Sequence, residues 1–73
     1  MRNPRQIVAK NLKRLKGKRS YSSLSNHIYS KTGISIHNIT LWRMGKEEVM
    51  PDIETLFVIA EALDADVREF FVP

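Results

Sequence analysis

Apolar side chains recur every three to four residues along most of this chain, the spacing that aligns one face of an α-helix. Asn3 is a favourable N-cap, and Pro4 suits the first helical position because no backbone donor is needed there. With Gly17 as the C-terminal stop, the pattern predicts a first helix over residues 4–16. The apolar positions that define it are Ile7, Val8, Leu12 and Leu15.

The second apolar segment begins in a serine-rich stretch and is predicted to end at about Thr32, just before Gly33. Either Ser20 or Ser22 can act as its N-cap, and the second choice gives a shorter helix. With Ser20 as the cap, three side chains share one helical face. They are Tyr21, Leu24 and Ile28.

A third helix is predicted over residues 36–44, with Ser35 as its N-cap and Gly45 as its stop. Ile34, just outside this helix, is expected to anchor it in the core. The inner face of the helix is expected to carry Ile39 and Trp42.

Two more elements follow the loop of residues 46–50. Asp52 is predicted to cap a fourth helix, and Asp66 with Glu69 forms the spacing of a capping box for a short final helix. The fourth helix is expected to bury Ile53, Leu56, Phe57, Ala60 and Leu63, and the final helix carries Val67, Phe70 and Phe71. The sequence therefore predicts an all-α, compact five-helix bundle that forms a single domain over residues 1–73.

Positive and negative charges lie in different parts of the chain. Residues 1–46 contain eleven Lys and Arg and no acid, whereas residues 47–73 contain eight acids and one base, Arg68. These parts carry +11 and −7, which gives the net charge of +4. Such segregation favours docking one face against a polyanion, and no basic helix has the broad apolar face of a membrane binder. With no acid nearby, three lysines are predicted to contact DNA phosphates: Lys13, Lys16 and Lys18.

Other functional classes lack their sequence signatures. The chain has no Cys, and His27 and His37 lie ten positions apart without an evident carboxylate partner, so we expect no disulfide, metal or cofactor site. No phosphate-binding glycine loop or nucleophile–base pair is present, so we expect neither an enzyme nor a small-molecule substrate. No apolar stretch approaches the roughly 20 residues that span a bilayer, and no leader pattern is visible. We therefore expect a soluble cytoplasmic protein with no membrane partner.

The turn between the second and third helices is the most informative segment. A glycine ends one helix, an apolar residue follows, and a serine precedes the next helix: Gly33, Ile34 and Ser35. A tight turn of this kind can hold two helices at a steep angle and leave the second one projecting. Combined with the charge segregation, it favours a helix-turn-helix that binds double-stranded DNA.

Several pieces of sequence appear in a characteristic order. They are Asn11-Leu12-Lys13-Arg14-Leu15, Gly33-Ile34-Ser35, Ile39 with Trp42, Gly45-Lys46, Met50-Pro51-Asp52-Ile53-Glu54-Thr55-Leu56, Ile59-Ala60-Glu61-Ala62-Leu63, and Val67 through Phe71. Together they resemble the Cro/CI-type, or XRE-like, helix-turn-helix family over nearly the whole chain. The resemblance implies a lambda-repressor-like DNA-binding domain whose third helix lies in the major groove. It also implies a repressor-like transcriptional regulator in the cytoplasm, nucleoid-associated and of prokaryotic or phage origin.

The resemblance also implies roles for individual residues. The predicted base contacts are Ile36, His37, Asn38, Thr40 and Leu41. The predicted phosphate contacts, in addition to the three lysines, are Ser20, Ser22, Ser23, Lys31, Arg43 and Lys46. Family members commonly have polar residues where this chain has Ile36 and Leu41. Apolar side chains there can pack on thymine methyl groups but cannot read donors and acceptors.

The C-terminal apolar residues are predicted to form a homodimer contact together with part of the fourth helix. They are Phe70, Phe71 and Val72. One phenylalanine can complete the core, which would leave the other one and Val72 partly exposed, and small helix-turn-helix proteins usually bind as symmetric dimers. The alternative function is a protein-binding helical module, such as an antitoxin or regulatory subunit, that holds a partner through Ile36 and Leu41.

Overall fold

A computed structural model describes residues 3–73, and this part of the chain contains helices and no strand. Four α-helices are followed by a five-residue 3₁₀ helix, which we call the C-terminal turn. Their bounds are α1 Pro4–Lys16, α2 Tyr21–Thr32, α3 Asn38–Gly45, α4 Ile53–Ala62 and the C-terminal turn Val67–Phe71. The all-helical prediction is confirmed, but the last of the five predicted elements is not an α-helix.

Local hydrogen bonds explain where the helices begin. Asn3 accepts a bond from the Gln6 N–H at 3.0 Å, and Gln6 Oε1 accepts one from the Asn3 N–H at 3.2 Å. This reciprocal pair satisfies two donors that the helix cannot satisfy itself. Ser20, not Ser22, caps α2, since its Oγ accepts from the Ser23 N–H at 3.0 Å. Asp52 caps α4 as predicted, by accepting from the Thr55 N–H at 2.8 Å.

One apolar core joins the elements. α1 packs against α3 and the C-terminal turn, α2 packs against α3 and α4, and α4 also contacts the C-terminal turn. His27 Nε2 donates to the carbonyl of Ala62 at 2.8 Å, which links α2 to the end of α4. The buried cluster comprises Val8, Leu12, Leu24, Ile28, Leu41, Met44, Leu56, Ile59, Ala60, Ala62 and Phe70.

Asn11 is fully buried and connects α1 to the end of the chain. Its Nδ2 donates to the carbonyls of Phe70 at 2.9 Å and Val72 at 2.8 Å, and also to Ile7 within α1 at 3.0 Å. Its Oδ1 accepts from the Arg14 guanidinium at 3.2 Å. These bonds hold the C-terminal turn against α1.

The predicted capping box of the final element does not form. Asp66 does cap it by accepting from the Arg68 N–H at 2.9 Å, but Glu69 instead pairs with Arg14 of α1 at 3.1 Å. The tertiary contact with α1 therefore takes the carboxylate that a local capping box would have used. The pKa of Asp66 is lowered to about 2, because its carboxylate accepts hydrogen bonds from the Arg68 side chain and backbone.

The inward face of α4 is rotated from the predicted one. Leu56 and Ala60 are buried as expected, but Ile53 and Phe57 are exposed. Ile59 and Ala62 take their place in the core, and Leu63 is half-buried. Seven of the ten residues of α4 are apolar, so periodicity alone did not decide which stripe faces α2.

Candidate nucleic-acid interface

Side-chain hydrogen bonds from α2 hold the segment between α2 and α3 in place. Gly33 ends α2 in the left-handed region, with φ of 74°, where glycine has no steric penalty. Thr32 Oγ1 donates to the Ile28 carbonyl at 2.7 Å and accepts from the Ile34 N–H at 3.1 Å. Ser25 of α2 then donates to the carbonyl of Ile36 at 2.6 Å. The five residues 33–37 are thereby fastened to α2 at both ends.

α3 begins later than the sequence predicted. Its N-cap is His37 and not Ser35, since His37 Nδ1 accepts from the Ile39 N–H at 3.1 Å. Ile36, immediately before the cap, is half-buried and packs against the core. The apolar contact of Ile36 and the bond from Ser25 to its carbonyl hold this residue in the turn, so the helix starts at Asn38.

The later start comes with a different inward face of α3. Leu41, Met44 and Gly45 are buried, at the i, i+3, i+4 spacing of one helical stripe. A Cβ on Gly45 would overlap the hydroxyl of Tyr21, so this glycine permits close contact with the start of α2. The prediction that Leu41 contacts a base is therefore wrong in this arrangement, whereas the contact predicted for Ile36 stays a prediction. Leu41 is fully buried, and Ile36 faces the core.

The opposite side of α3 forms what we call the α3 outer face. Ile39 and Trp42 were predicted to be buried, but they are 51% and 44% exposed. The Lys46 ammonium lies 5.4 Å from the centroid of the Trp42 ring, within the range of a cation–π contact. The α3 outer face comprises Ile39, Thr40, Trp42, Arg43 and Lys46. One signal in the sequence could have revealed this outer face. Leu41, Met44 and Gly45 also share one side of a helix, so they compete with Ile39 and Trp42 for the inward position.

Of the remaining predicted base contacts, Thr40 belongs to this face, and His37 and Asn38 lie beside it. His37 and Thr40 are exposed, and Asn38 is half-buried at the first position of α3. These three polar side chains therefore follow one another from the end of the turn into the first helical turn. They are accessible at the end of α3 that the resemblance assigns to base contact.

The predicted phosphate contacts are accessible with one exception. Lys16 is half-buried, donates to the carbonyl of Arg19 at 2.7 Å and lies 4.9 Å from the centroid of the Tyr21 ring. Lys16 therefore links the end of α1 to the start of α2. Partial burial of Tyr21 raises the pKa of its phenol. The exposed predicted contacts are Lys13, Lys18, Ser20, Ser22, Ser23, Lys31, Arg43 and Lys46.

Charge compensation is scarce on the basic part of the molecule. Within residues 3–73 there are two ion pairs, Arg14 with Glu69 and Arg68 with Asp66. Neither pair involves a lysine or arginine that was predicted to contact phosphate. The first turns of α1, α2 and α3 contain no acid, so no carboxylate there offsets the positive ends of their helix dipoles. This combination suits an anionic partner.

The predicted dimer residues divide between core and surface. Phe70 is fully buried and completes the core, so it is not available for a subunit contact, and that part of the prediction is wrong. Phe71 and Val72 remain exposed at 44% and 42%. As expected, one phenylalanine finishes the core and the other stays partly outside.

Comparison of this chain with known proteins finds no matching family model, no matching curated protein and no matching solved structure. No helix in residues 3–73 has both the length and the apolarity needed to cross a membrane. The same part of the chain has no group of three or more His, Asp or Glu side chains arranged to hold a metal ion.

Proposed function

We propose that this chain is a sequence-specific double-stranded DNA-binding regulator, of repressor-like type, that uses α2 and α3 as a helix-turn-helix. One observation carries the proposal: the exposed α3 outer face, with Arg43 and Lys46, ends a stretch of 46 residues that contains eleven Lys and Arg and no acid. The resemblance to the Cro/CI-type family supports the same conclusion. This is a binding function, without a catalytic step.

In this proposal α3 lies in the major groove. An α-helix with its side chains is about 10–12 Å across, which fits a major groove about 12 Å wide. His37, Asn38 and Thr40 provide the polar contacts to base edges. Ile39 and Trp42 take over the apolar contact that the sequence had assigned to Leu41, and they can pack on thymine methyl groups.

Phosphate contacts orient the helix in the groove without reading sequence. The start of α2 offers the hydroxyls of three exposed serines together with the N–H groups that any helix start leaves free. Exposed lysine and arginine side chains on α1, α2 and α3 add charge around it. The proposed phosphate contacts are Ser20, Ser22, Ser23, Lys13, Lys18, Lys31, Arg43 and Lys46.

The test is duplex binding as a function of salt, with Lys46→Ala as the variant and Arg68→Ala as the control. Lys46 lies at the end of α3. Arg68 is exposed, is the one basic residue among residues 47–73, and pairs with Asp66. We expect Lys46→Ala to weaken binding to all sequences alike and to reduce the slope of log K against log salt by about 1. Arg68→Ala should leave both the affinity and the slope unchanged.

Two results would contradict this function. One is that the wild-type protein binds no duplex from a random pool even at low salt. The other is that Lys46→Ala and Arg68→Ala behave alike.

The exposure of Ile39 and Trp42 also favours a second candidate function, a protein-binding module such as an antitoxin or regulatory subunit. Two large apolar side chains on one helix face are typical anchors for a partner protein. The double variant Ile39→Ser, Trp42→Ser separates the two functions. Loss of DNA affinity, measured by anisotropy with labelled duplex, supports DNA binding; unchanged DNA affinity assigns these side chains to another partner.

A further inference from the structure

The capping bond of α3 determines which nitrogen of His37 carries the proton. Nδ1 lies 3.1 Å from the Ile39 backbone nitrogen, and that N–H can only donate. Nδ1 must therefore be an unprotonated acceptor whenever the cap is formed. In a neutral imidazole the proton then resides on Nε2.

The second nitrogen of His37 is left as a donor on the surface. His37 is exposed, and within residues 3–73 its Nε2 has no hydrogen-bond partner. A group that binds there must accept a hydrogen bond. In the major groove cytosine presents only its amino donor, whereas guanine presents two adjacent acceptors, N7 and O6. Adenine and thymine each present one acceptor, beside an amino group and a methyl group respectively.

We propose that His37 is a specificity-determining residue that selects guanine at one base pair of each half-site, by donating from Nε2 to the N7–O6 edge. This assignment rests on the proposed function, because it requires α3 in the major groove. Guanine is favoured because both major-groove atoms that the Nε2 donor can meet on it, N7 and O6, are acceptors. The residue thus has two roles: one nitrogen caps the helix and the other reads the base.

The variant His37→Ser separates the two roles. Serine is a good N-cap and keeps an acceptor for the first turn of α3, but it has no donor that reaches as far as Nε2. Ser35→Ala is the matched control, because Ser35 is exposed two residues earlier and does not cap the helix. Both variants are expected to keep the helical circular dichroism and the melting temperature of the wild type to within a few degrees.

The experiment selects sequences from a random duplex pool with each of the three proteins. We expect wild type and Ser35→Ala to select guanine at one position of each half-site, and His37→Ser to lose that preference by about fivefold to tenfold, the worth of one hydrogen bond. Replacing that guanine by 7-deazaguanine, which lacks the N7 acceptor, should weaken wild-type binding by a similar factor and leave His37→Ser unaffected.

Failure of this proposal can be distinguished from failure of the proposed function. A guanine preference that persists in His37→Ser overturns the base contact while DNA binding stands, and so does an equal loss of affinity for all sequences, which would indicate a phosphate contact. Long-range ¹H–¹⁵N spectra of the DNA-free protein test the premise, and a proton on Nδ1 at neutral pH would overturn it. If the wild type binds no duplex, the proposed function fails as well.

Discussion

Asn11 shows how one buried amide can hold a chain end in place. Its Nδ2 reaches the carbonyls of Phe70 and Val72, about sixty residues away in sequence. Asn11→Leu keeps the number and branching of the side-chain heavy atoms but leaves these carbonyls without their donor. We expect the free energy of unfolding in urea to fall by about 1–3 kcal/mol.

The control for this variant is Lys10→Leu, the same new side chain on the preceding, exposed residue of α1. A surface substitution there should change the free energy of unfolding by less than about 0.5 kcal/mol. Equal losses for the two variants would show that the Asn11 bonds contribute nothing to stability.

Gly45 provides a second prediction at the scale of a single residue. Replacing glycine by alanine in a helix normally stabilises it, but here the added methyl group meets the Tyr21 hydroxyl and, at 2.9 Å, its Cζ. We expect Gly45→Ala to lower the free energy of unfolding by about 1–3 kcal/mol through overpacking. The loss should be smaller in a Tyr21→Phe background, which removes the hydroxyl. A double-mutant cycle of urea unfolding measures this coupling, and additive effects would contradict the contact.

Each element depends on its own N-cap, and two of these caps are carboxylates, Asp52 and Asp66. Hydrogen bonds from the following residues lower the pKa of both groups below their ordinary value of 3.8, for Asp66 to about 2. Their contribution to stability is therefore fully present above pH 3.8 and is lost as the pH falls through the depressed values. Both side chains are exposed, so we expect this contribution to be modest.

Thermal melts at pH values from 5 down to 2 measure the effect on α4 and the C-terminal turn. The double variant Asp52→Ser, Asp66→Ser keeps capping groups that do not titrate in this range. Its melting temperature should decline less steeply below pH 4 than that of the wild type. Parallel declines would mean that these two caps do not contribute to the acid sensitivity of the fold.

At the scale of the whole molecule, the exposed apolar residues of the C-terminal part support the predicted homodimer. α4 leaves Ile53 and Phe57 exposed on successive turns, and the chain end leaves Phe71 and Val72 exposed. Burying such side chains against a second copy would remove apolar area from water on both subunits. We propose that these exposed side chains, without Phe70, take part in the dimer contact.

The variant Phe71→Asp tests the dimer, with sedimentation velocity as the measurement. We expect the wild type to sediment as a dimer at micromolar concentration and the variant as a folded monomer with weaker binding to paired half-sites. The control is Tyr29→Asp, an equally drastic change at an exposed aromatic residue of α2, which should remain dimeric. A wild type that is monomeric at all concentrations would end this proposal.

Local features of the sequence were sufficient for much of the fold. The start of α1 followed from Asn3 with Pro4 and the start of α4 from Asp52, because a cap satisfies backbone donors only a few residues away. The segregation of charge is likewise a property of the sequence, since every lysine and arginine of the proposed interface lies within residues 1–46, which contain no acid.

Only the tertiary structure decided which face of each apolar helix is directed toward the core. α3 offers two apolar stripes, one with Ile39 and Trp42 and one with Leu41 and Met44, and they differ little in periodicity. The contact of Gly45 with Tyr21 and the packing of Ile36 go with the second stripe facing inward, which leaves the first on the surface. The capping bonds are made within a few residues of one another, whereas the rotation of a helix depends on partners distant in sequence.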